Sequence, residues 1–401
     1  MKGFARDLLE LLRILENYPL LSYSEHAKML NVSTQTLSRR VEKLQNEDML
    51  RKVHSTLKPE KMELEKYVVI FEIAEIDQLE QLELSCDIHP YTSSRNRLFG
   101  QFYGVYAVFD IPKGSEKHLV SFLDFTLGRE FCSHYQMFKS VGRRLFYPQP
   151  LHNNITDIDE FDIDEYFSRK IEIKTISDEK ASSANSVIEF HPIHLLILRD
   201  ITTNMRTPVS KLAHKYKLYL ELDKSRERFD TLPKGFRPYL EEFFSDKRTE
   251  NAVYIDFKKK YQYIINNIVE DYWWGVNRKY FEMFVRFTYI IFDITKAEKS
   301  RLFSLFKEFR PPFSIYIEDL GKNIGLTFSL PPYYQIKVSY WIKSNYERFS
   351  VYLADSFGNN ATKYRFYVHN YDLKNLKWRE DKDWMLDGVV KGIQEKIANN
   401  Q

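Results

Sequence analysis

The sequence predicts an α+β protein in which two winged helix-turn-helix domains alternate with two ferredoxin-like (βαββαβ) domains. Three observations predict it: a helix-turn-helix pattern near the start of the chain, a change beyond residue 60 to strand-like segments in the order βαββαβ, and the return of both patterns later. The predicted domains are a winged helix-turn-helix at 1–60, a ferredoxin-like regulatory domain at 61–150, an acidic tail and linker at 151–189, a degenerate winged helix-turn-helix at 190–275, a second ferredoxin-like domain at 276–357 and a C-terminal tail with a helix at 358–401.

The composition is that of a globular protein without a strong net charge. The chain has 401 residues, of which 43% are hydrophobic and 29% charged, and its formal net charge is +3. This length predicts more than one domain. Because the charge is nearly balanced, DNA binding must rest on a local basic face. Cys86 and Cys132 lack CxxC spacing, so we expect buried thiols in a reducing cytosol, no metal and no cofactor.

No segment has the pattern of a signal peptide or a membrane span. The first residues, MKGFARDLLELLRILE, carry Asp7 and Glu10 within an apolar run and predict an amphipathic helix. The most apolar later segment, 280–294, is interrupted by charged residues and is too short to cross a bilayer. We therefore expect a cytoplasmic protein with no membrane partner.

The helix-turn-helix pattern after the first helix is the most informative part of the chain. Ser22 and Glu25 form a Ser-x-x-Glu capping box for a short helix. In the next helix, Leu37, Val41 and Leu44 recur at i, i+4 and i+7 and form a buried stripe. The opposite face carries amide, hydroxyl and guanidinium groups, which suit a DNA major groove. The residues predicted to contact double-stranded DNA are Ser33, Thr34, Gln35, Ser38, Arg39, Arg40 and Lys43 on this helix and Arg51 and Lys52 in the wing.

The order βαββαβ occurs once in each half of the chain. The first half predicts strands at 67–73, 88–98, 101–111 and 131–138, with helices at 79–84 and 115–127. The second half predicts strands at 281–294, 313–318, 323–330 and 349–354, with helices at 296–309 and 333–343. The motif VFDIP ending at Pro112 matches TFSLP ending at Pro331, an offset of 219 residues (331 − 112). We infer an internal duplication, with a polar linker at 180–186.

The helix-turn-helix also recurs, and the second copy differs in charge. Ser24 and Ala27 match Ser210 and Ala213 at an offset of 186 (210 − 24), so the second copy has gained about thirty residues (219 − 186), which we place between its helix-turn-helix and its sheet. We assign its recognition helix to 217–235. The acidic residues there, which would repel phosphate, are Glu221, Asp223, Glu227 and Asp230. We expect this copy to be structural or to bind protein.

Duplication also predicts an assembly. The two sheets should pair within one chain as a pseudo-dimer, because each copy keeps a self-complementary face. With one good recognition helix per chain, reading a palindrome would need two chains. We therefore predict a homodimer on DNA.

The first half resembles the Lrp/AsnC (feast/famine) family of bacterial and archaeal transcription regulators. The resemblance lies in NVSTQTLSRRVEKLQNEDML followed by RKVHSTLKPEKMELEKYVVIFEI, and it is good over 7–140 and weak over 190–355. In that family a winged helix-turn-helix leads through a hinge strand into a ferredoxin-like domain for dimerisation and small-ligand sensing. The resemblance implies a sequence-specific DNA-binding transcription regulator with a small-molecule effector. The family usually has one unit per chain, and the turn at 99–104, FGQFYG, lacks the acid of its effector turn.

Two other functions remain open at this point. Sirohaem decarboxylases use paired Lrp-like units with a His and an Arg near the second strand, and His89, Arg95 and Arg97 are similar to that arrangement. Proton transfer would need the His within hydrogen-bond reach of a substrate carboxylate. The other alternative is an interaction scaffold in which neither winged helix binds DNA. The sequence has no Gly-rich phosphate loop, serine elbow or HExxH helix, and we predict that it is not an enzyme.

Overall fold

The structure is a computed structural model that describes residues 6–146, 162–171, 190–221, 233, 235–245, 249–277, 286–309, 311, 313–330, 332–355, 361–363 and 366–400. The predicted linker at 180–186 and most of the segment 217–235 lie outside these residues. The helices are α1 (Arg6–Asn17), α2 (Tyr23–Met29), α3 (Thr34–Asn46), α4 (Gln78–Ile88), α5 (Glu116–Gly128), α6 (Ile163–Ser168), α7 (Pro192–Thr203), α8 (Val209–Glu221), α9 (Arg237–Phe243), α10 (Glu250–Asn267), α11 (Lys296–Glu308), α12 (Pro332–Asn345) and α13 (Gly388–Asn400). The strands are β1 (Leu50–Leu57), β2 (Leu64–Ile73), β3 (Thr92–Gly100), β4 (Tyr103–Pro112), β5 (His134–Ser140), β6 (Gly142–Phe146), β7 (Val269–Val276), β8 (Arg286–Ile291), β9 (Ser314–Leu320), β10 (Asn323–Ser329), β11 (Phe349–Asp355), β12 (Ala361–Lys363), β13 (Tyr371–Asp372) and β14 (Lys377–Trp378).

Local caps set the boundaries of the helices α2 and α3. The Ser22 hydroxyl accepts a hydrogen bond from the Glu25 N–H at 3.2 Å, and the Glu25 carboxylate accepts one from the Ser22 N–H at 2.7 Å. This is the predicted capping box. The turn that follows contains Asn31 in the left-handed conformation, which asparagine adopts more readily than most residues. α3 then begins after Ser33, whose hydroxyl accepts from the Thr36 N–H at 3.0 Å.

The two predicted βαββαβ segments form one curled antiparallel sheet. In the first half the strand order is β5-β2-β4-β3, and in the second half it is β11-β8-β10-β9. Within this sheet the halves are joined where β3 pairs with β11 and where β6, which follows β5 directly, pairs with β9. The α+β class is therefore confirmed, and the two sheets do pair within one chain.

The two faces of the sheet have different surroundings. On β2, Tyr67, Val69 and Phe71 belong to the large core shared with the helices. Val68 and Ile70 point the other way, into a smaller apolar cluster between strands of both halves. The sheet is thus buried on both faces, and this burial holds the halves together.

The strand after α3 does not form a wing within its own half. β1 pairs antiparallel with β7 of the second half, with Val53 opposite Trp274. α7 packs on β1 and α1 packs on β7, so the first helices of the two halves cross over this ribbon. The placement of Arg51 and Lys52 in a wing is corrected: both lie exposed near the start of β1. A strand pattern in the sequence indicates that the backbone N–H and C=O groups need hydrogen-bond partners, but it does not indicate which other strand supplies them.

The additional residues of the second half lie earlier than predicted. α7 and α8 follow the order of α1 and α2, but α9 comes next, and α10 is the helix that leads into β7. α10 therefore has the position that α3 has before β1. The recognition helix assigned to 217–235 is corrected, since its first residues belong to α8, which ends at Glu221. The increase in the offset between the two repeats gives the number of inserted residues, but it does not indicate where in the second repeat they lie.

The segments outside the repeats pack on helices of both halves. Within the predicted linker at 151–189, the short helix α6 buries Tyr166 and Phe167, and the Phe167 ring stacks on Trp341 at 3.7 Å between centroids. The predicted C-terminal helix is present as α13, which packs on α4. None of the helices in the described parts of the chain is both long and apolar enough to cross a membrane.

Candidate nucleic-acid interface

The helix α3 exposes a continuous polar face. Its buried residues are Leu37, Val41 and Leu44, each at most 1% exposed, and they anchor the helix against α2 and β1. At about 100° per residue this stripe leaves Gln35 and Arg39 on the opposite side. The predicted contact residues that the structure leaves exposed are Ser33, Thr34, Gln35, Ser38, Arg39, Lys43, Arg51 and Lys52.

Arg39 is the most available cation of this face. The Arg39 side chain is exposed and forms no ion pair or hydrogen bond with another residue that the structure describes, and the same holds for Lys52. The guanidinium therefore needs no internal contact to be broken before it binds an outside acceptor. A guanidinium can make two parallel hydrogen bonds to guanine O6 and N7 or to a phosphate.

The other predicted contact residues have partners within the protein. The ion pairs are Arg40 with Asp7 at 3.4 Å, Lys43 with Glu47 at 4.0 Å and Arg51 with Asp48 at 3.2 Å. Exposed pairs of this kind contribute little to stability, so a phosphate could compete for the cation. Ser33 has a capping role, because its hydroxyl accepts from the first turn of α3.

A residue of the second half fixes the position of this helix-turn-helix. The Arg206 guanidinium lies 4.6 Å from the ring centroid of Tyr23 and 5.2 Å from that of Trp274. It also donates to the carbonyls of Pro19 and Leu21 at 2.9 and 2.8 Å. A planar cation between aromatic rings with two charge-assisted hydrogen bonds is a rigid contact. The turn before α2 is therefore held by the other half of the chain, a contact that sequence periodicity could not reveal.

The residues considered for a decarboxylase have structural surroundings. His89 was expected on a strand, but it follows the last residue of α4 and is 2% exposed. Its ring packs on Phe109 and Phe122 at centroid distances of 5.1 and 4.6 Å, and its Nδ1 accepts from the Tyr91 N–H. Burial lowers the pKa of His89 to about 3. An imidazole in this position has no route to a substrate carboxylate and is neutral at pH 7.

Arg95 and Arg97 come together, but around carboxylates of the protein. Arg95 donates to Glu83 at 2.5 Å and to Asp87 at 2.6 Å, and Arg97 donates to Glu83 at 2.7 Å. Arg95 and Glu83 are both buried, so this network joins α4 to β3 in the interior. The sequence placed these arginines on the second strand correctly, but it gave no sign that α4 supplies their partners.

The turn to which the family resemblance would assign an effector lies at the junction of the halves. Leu98 to Gly100 pair with β11, and Gly100 has a φ of 126°, which is accessible to glycine. A Cβ atom at Gly100 would lie 3.3 Å from the carbonyl oxygen of Val351. Close approach to the other half therefore explains this glycine without a ligand.

Metal and thiol chemistry find no site within the described ranges. These residues contain no group of three or more His, Cys, Asp or Glu side chains that could hold a metal ion. Cys86 and Cys132 are free and buried, as expected, and burial raises the pKa of both thiols.

The sequence alone does not assign the exposed face of α10, because the run of three lysines at 258–260, which could contact backbone phosphates, is interpreted as a solvated face. The signal was present, because Thr249, Val253 and Phe257 follow Ser33, Leu37 and Val41 at a constant offset of 216 (249 − 33). Thr249 caps α10 by accepting from the Ala252 N–H, as Ser33 caps α3. The exposed residues of α10 are Glu250, Asn251, Ala252, Tyr254, Ile255, Lys258, Lys259, Gln262, Tyr263, Asn266 and Asn267.

Comparison with known proteins finds similarity in structure and none in sequence. No protein-family model and none of the curated proteins matches the sequence. Among solved structures, the siroheme decarboxylase NirDL covers 97% of this chain and 100% of its own, with a TM-score of 0.50 and 11% identity. A transcriptional regulator from Neisseria meningitidis in complex with L-Met covers 35% of this chain and 91% of its own, with a TM-score of 0.30 and 18% identity. An AsnC family transcriptional regulator from Agrobacterium tumefaciens covers 35% and 91%, with a TM-score of 0.29 and 18% identity.

These matches correct one prediction. The sequence led us to predict that the chain is not an enzyme, and the match to NirDL contradicts that exclusion, because a structure with the fold of nearly the whole chain is an enzyme. The reason is that motif absence excludes only the chemistries that have short motifs. A fold does not determine function, and a site must be argued from its residues.

Proposed function

We propose that this protein binds duplex DNA through the exposed face of α3 and acts as a sequence-specific transcription regulator. The observation that supports it is the exposed guanidinium of Arg39, which has no partner among the described residues, on a helix whose other face is anchored by three buried aliphatic residues. The amide of Gln35 lies on the same side, and amides pair with adenine N6 and N7.

The face divides into groups for bases and groups for phosphates. Arg39 and Gln35 lie opposite the buried stripe and suit base edges, whereas Lys43 and Lys52 lie nearer the flank or on β1 and suit the backbone. The net charge of +3 gives the whole molecule little attraction for DNA, so affinity should depend on these few cations.

The variant Arg39→Ala tests this assignment. Because Arg39 is exposed and makes no internal contact with the residues described, the variant should fold normally, within roughly half a kcal/mol. Binding to the preferred sequence should weaken by about 1–3 kcal/mol, and binding to random duplex should change much less. Both are measured by fluorescence anisotropy with fragments selected from genomic DNA by the purified protein.

Two further variants make the result interpretable. Lys43→Ala should weaken binding to all DNA sequences alike. It should also lower the slope of the logarithm of the binding constant against the logarithm of salt concentration by about one unit. Arg129→Ala removes an exposed arginine after α5, remote in the chain from α3, and should leave binding unchanged. If Arg129→Ala and Arg39→Ala reduce binding equally, or if no duplex is selected at low salt, the assignment fails. The second of these outcomes would favour the interaction scaffold.

A second candidate, decarboxylation of a tetrapyrrole, is favoured by one observation, the full-length similarity in fold to siroheme decarboxylase NirDL. If this chain acts on such a substrate, groups other than His89 must move the proton, because that imidazole is buried in an apolar environment. Titration with an iron uroporphyrin, followed by its visible absorbance, tests the candidate. A saturable spectral shift supports it, and an unchanged spectrum at micromolar protein removes it.

A further inference from the structure

The helix α10 has the features of a second DNA-contacting helix. It begins at a Thr249 cap, buries Val253 and Phe257 at the same spacing as the core of α3, and leads directly into β7 as α3 leads into β1. Five exposed residues of α10 lie at +216 from exposed residues of α3, and we call them the α10 stripe: Asn251, Ile255, Lys258, Lys259 and Gln262.

The chemistry of the α10 stripe differs from that of α3 in a consistent direction. Ile255 stands where α3 has Arg39, so the bidentate group for guanine is missing. Lys258 stands where α3 has the acidic Glu42, and Lys259 matches Lys43. The stripe thus loses one base-reading group and one negative charge, whereas Glu250 and Asp256, outside the stripe, stand at the positions of Thr34 and Arg40.

Both stripe lysines are available to an outside anion. Lys258 and Lys259 are exposed and have no ion pair with another residue in the described part of the chain. The neighbouring acids are turned away or engaged: Asp256 is half-buried, and Glu250 binds Lys217 at 2.6 Å. A lysine is a point charge suited to phosphate and carries little base specificity.

The β1–β7 ribbon places α3 and α10 for simultaneous contact. An antiparallel ribbon has a local two-fold axis normal to it, so elements that pack alike on its two strands lie on one face at opposite ends. α3 packs on β1 and α10 packs on β7, and both precede the first residue of their strand. Eight residues of β1 extend over roughly 25 Å at about 3.3 Å per residue. Helices beyond each end can reach major grooves one turn, about 34 Å, apart.

We propose that α10 contacts the phosphate backbone of the same duplex that α3 reads, so that one chain provides two unequal DNA-binding helices. This inference rests on the proposed function. α3 supplies sequence preference through Arg39, and the α10 stripe supplies affinity that is independent of sequence. A single chain then spans two successive grooves, an arrangement that replaces the homodimer expected from the sequence.

The test compares two double variants with equal charge change. Lys258→Gln/Lys259→Gln should lower affinity for all duplexes on the order of tenfold at low salt and reduce the salt slope by about two units, one per lysine. The ratio of specific to random binding should stay as in the unaltered protein. Lys117→Gln/Lys343→Gln removes two exposed lysines from α5 and α12 and should have no such effect.

Footprinting and stoichiometry complete the test. Hydroxyl-radical footprints of the unaltered protein should show two protected regions one turn apart with one chain per duplex, and Lys258→Gln/Lys259→Gln should lose one region. If this double variant behaves like Lys117→Gln/Lys343→Gln while Arg39→Ala still lowers specificity, the inference fails and the proposed function stands. A requirement for two chains to produce the second region also overturns it. If neither Arg39→Ala nor the α10 variant has an effect, the proposed function itself fails.

Discussion

Each βαββαβ half joins a helix to a strand by an ion pair, but the two pairs have opposite signs and lie at different positions. In the first half the helix α4 supplies Glu83, which binds Arg95 on β3 at 2.5 Å. In the second half the helix α11 supplies Lys299, which binds Asp319 on β9 at 2.6 Å. At the repeat offset of 219 residues, Glu83 corresponds to Leu302 (83 + 219) and Asp319 to Gly100 (319 − 219), so neither pair is the counterpart of the other. The backbone elements are therefore shared between the halves, whereas the charged contacts between helix and sheet differ.

The same contrast occurs where these helices end. His89 follows α4 and is buried, and Phe309 follows α11 and is 37% exposed. It occurs again on the helices that precede the β1–β7 ribbon, where Arg39 of α3 corresponds to Ile255 of α10. In each pair the backbone element is shared and the side-chain chemistry is not. Function is therefore expected to differ between the halves even though their topology is equal.

The largest predicted effect is on the free energy of unfolding when the Glu83–Arg95 or the Lys299–Asp319 ion pair is broken. Glu83→Ala removes a carboxylate that binds both the buried Arg95 and Arg97, so the free energy of unfolding should fall by about 3–5 kcal/mol. Lys299→Ala should lower it by only about 1–2 kcal/mol, because the Asp319 side chain is 30% exposed and remains partly hydrated. Urea unfolding measures both losses.

A conservative variant separates charge from packing at this site. Glu83→Gln keeps the side-chain volume and one hydrogen-bond acceptor. The free energy of unfolding should therefore fall by less than it does in Glu83→Ala. Equal losses for Glu83→Ala and Lys299→Ala would contradict the difference in burial on which the comparison depends.

The second prediction concerns stability at low pH. His89 should contribute to it, and the second half has no histidine at the corresponding position. The pKa of His89 is about 3 in the folded protein and about 6.5 when unfolded, so the unfolded chain binds the extra proton below pH 6.5. Stability is therefore present above pH 6.5 and is lost as pH falls towards 3, by about 1.4 kcal/mol per pH unit. His89→Phe, which introduces the second half's residue, should remove about 2.7 kcal/mol of the acid loss at pH 4.5.

Two histidines serve as references for this experiment. His194 is also buried, and burial lowers its pKa to about 3, so a slope from His194 should persist in His89→Phe. His134 is exposed at the start of β5, and His134→Phe should not change the slope. Parallel pH profiles for His89→Phe and the unaltered protein would show that His89 is protonated in the folded state.

Local sequence patterns predicted the helices and strands of the repeated sheet well, but they did not predict contacts between residues far apart in the chain. The helix predicted at 296–309 is observed as Lys296–Glu308, and the strand predicted at 323–330 as Asn323–Ser329, because periodicity and turn residues act within a few positions. The pairing of β1 with β7 joins residues more than two hundred positions apart in the sequence, and no period encodes it. The strand predicted from residue 88 failed because α4 extends to Ile88, and an apolar residue at a helix end looks like the start of a strand.

The contact residues on α3 could be predicted from the pattern of that helix alone. The α10 stripe could not, because finding it required the two halves of the sequence to be aligned. The contact residues of α3 follow from a single amphipathic pattern, and the structure leaves that face exposed. The α10 stripe was missed because the inserted residues lie before α10, so the offset of 186 that held for the earlier helices pointed to the wrong segment. Side-chain partners such as Glu83 for Arg95 likewise depend on the tertiary fold.

The smallest predicted effect tests whether α3 and α10 are equivalent elements. Ser33 and Thr249 each accept a hydrogen bond from the backbone N–H three residues later, at 3.0 and 3.3 Å. Ser33→Ala and Thr249→Ala should therefore each lower the free energy of unfolding by about 1 kcal/mol. Ser38→Ala and Gln262→Ala, at exposed positions within the same helices, should stay within roughly half a kcal/mol. A loss at Ser33 without one at Thr249 would mean that the first turn of α10 is not held as that of α3 is, and the correspondence at an offset of 216 would then rest on the buried residues alone.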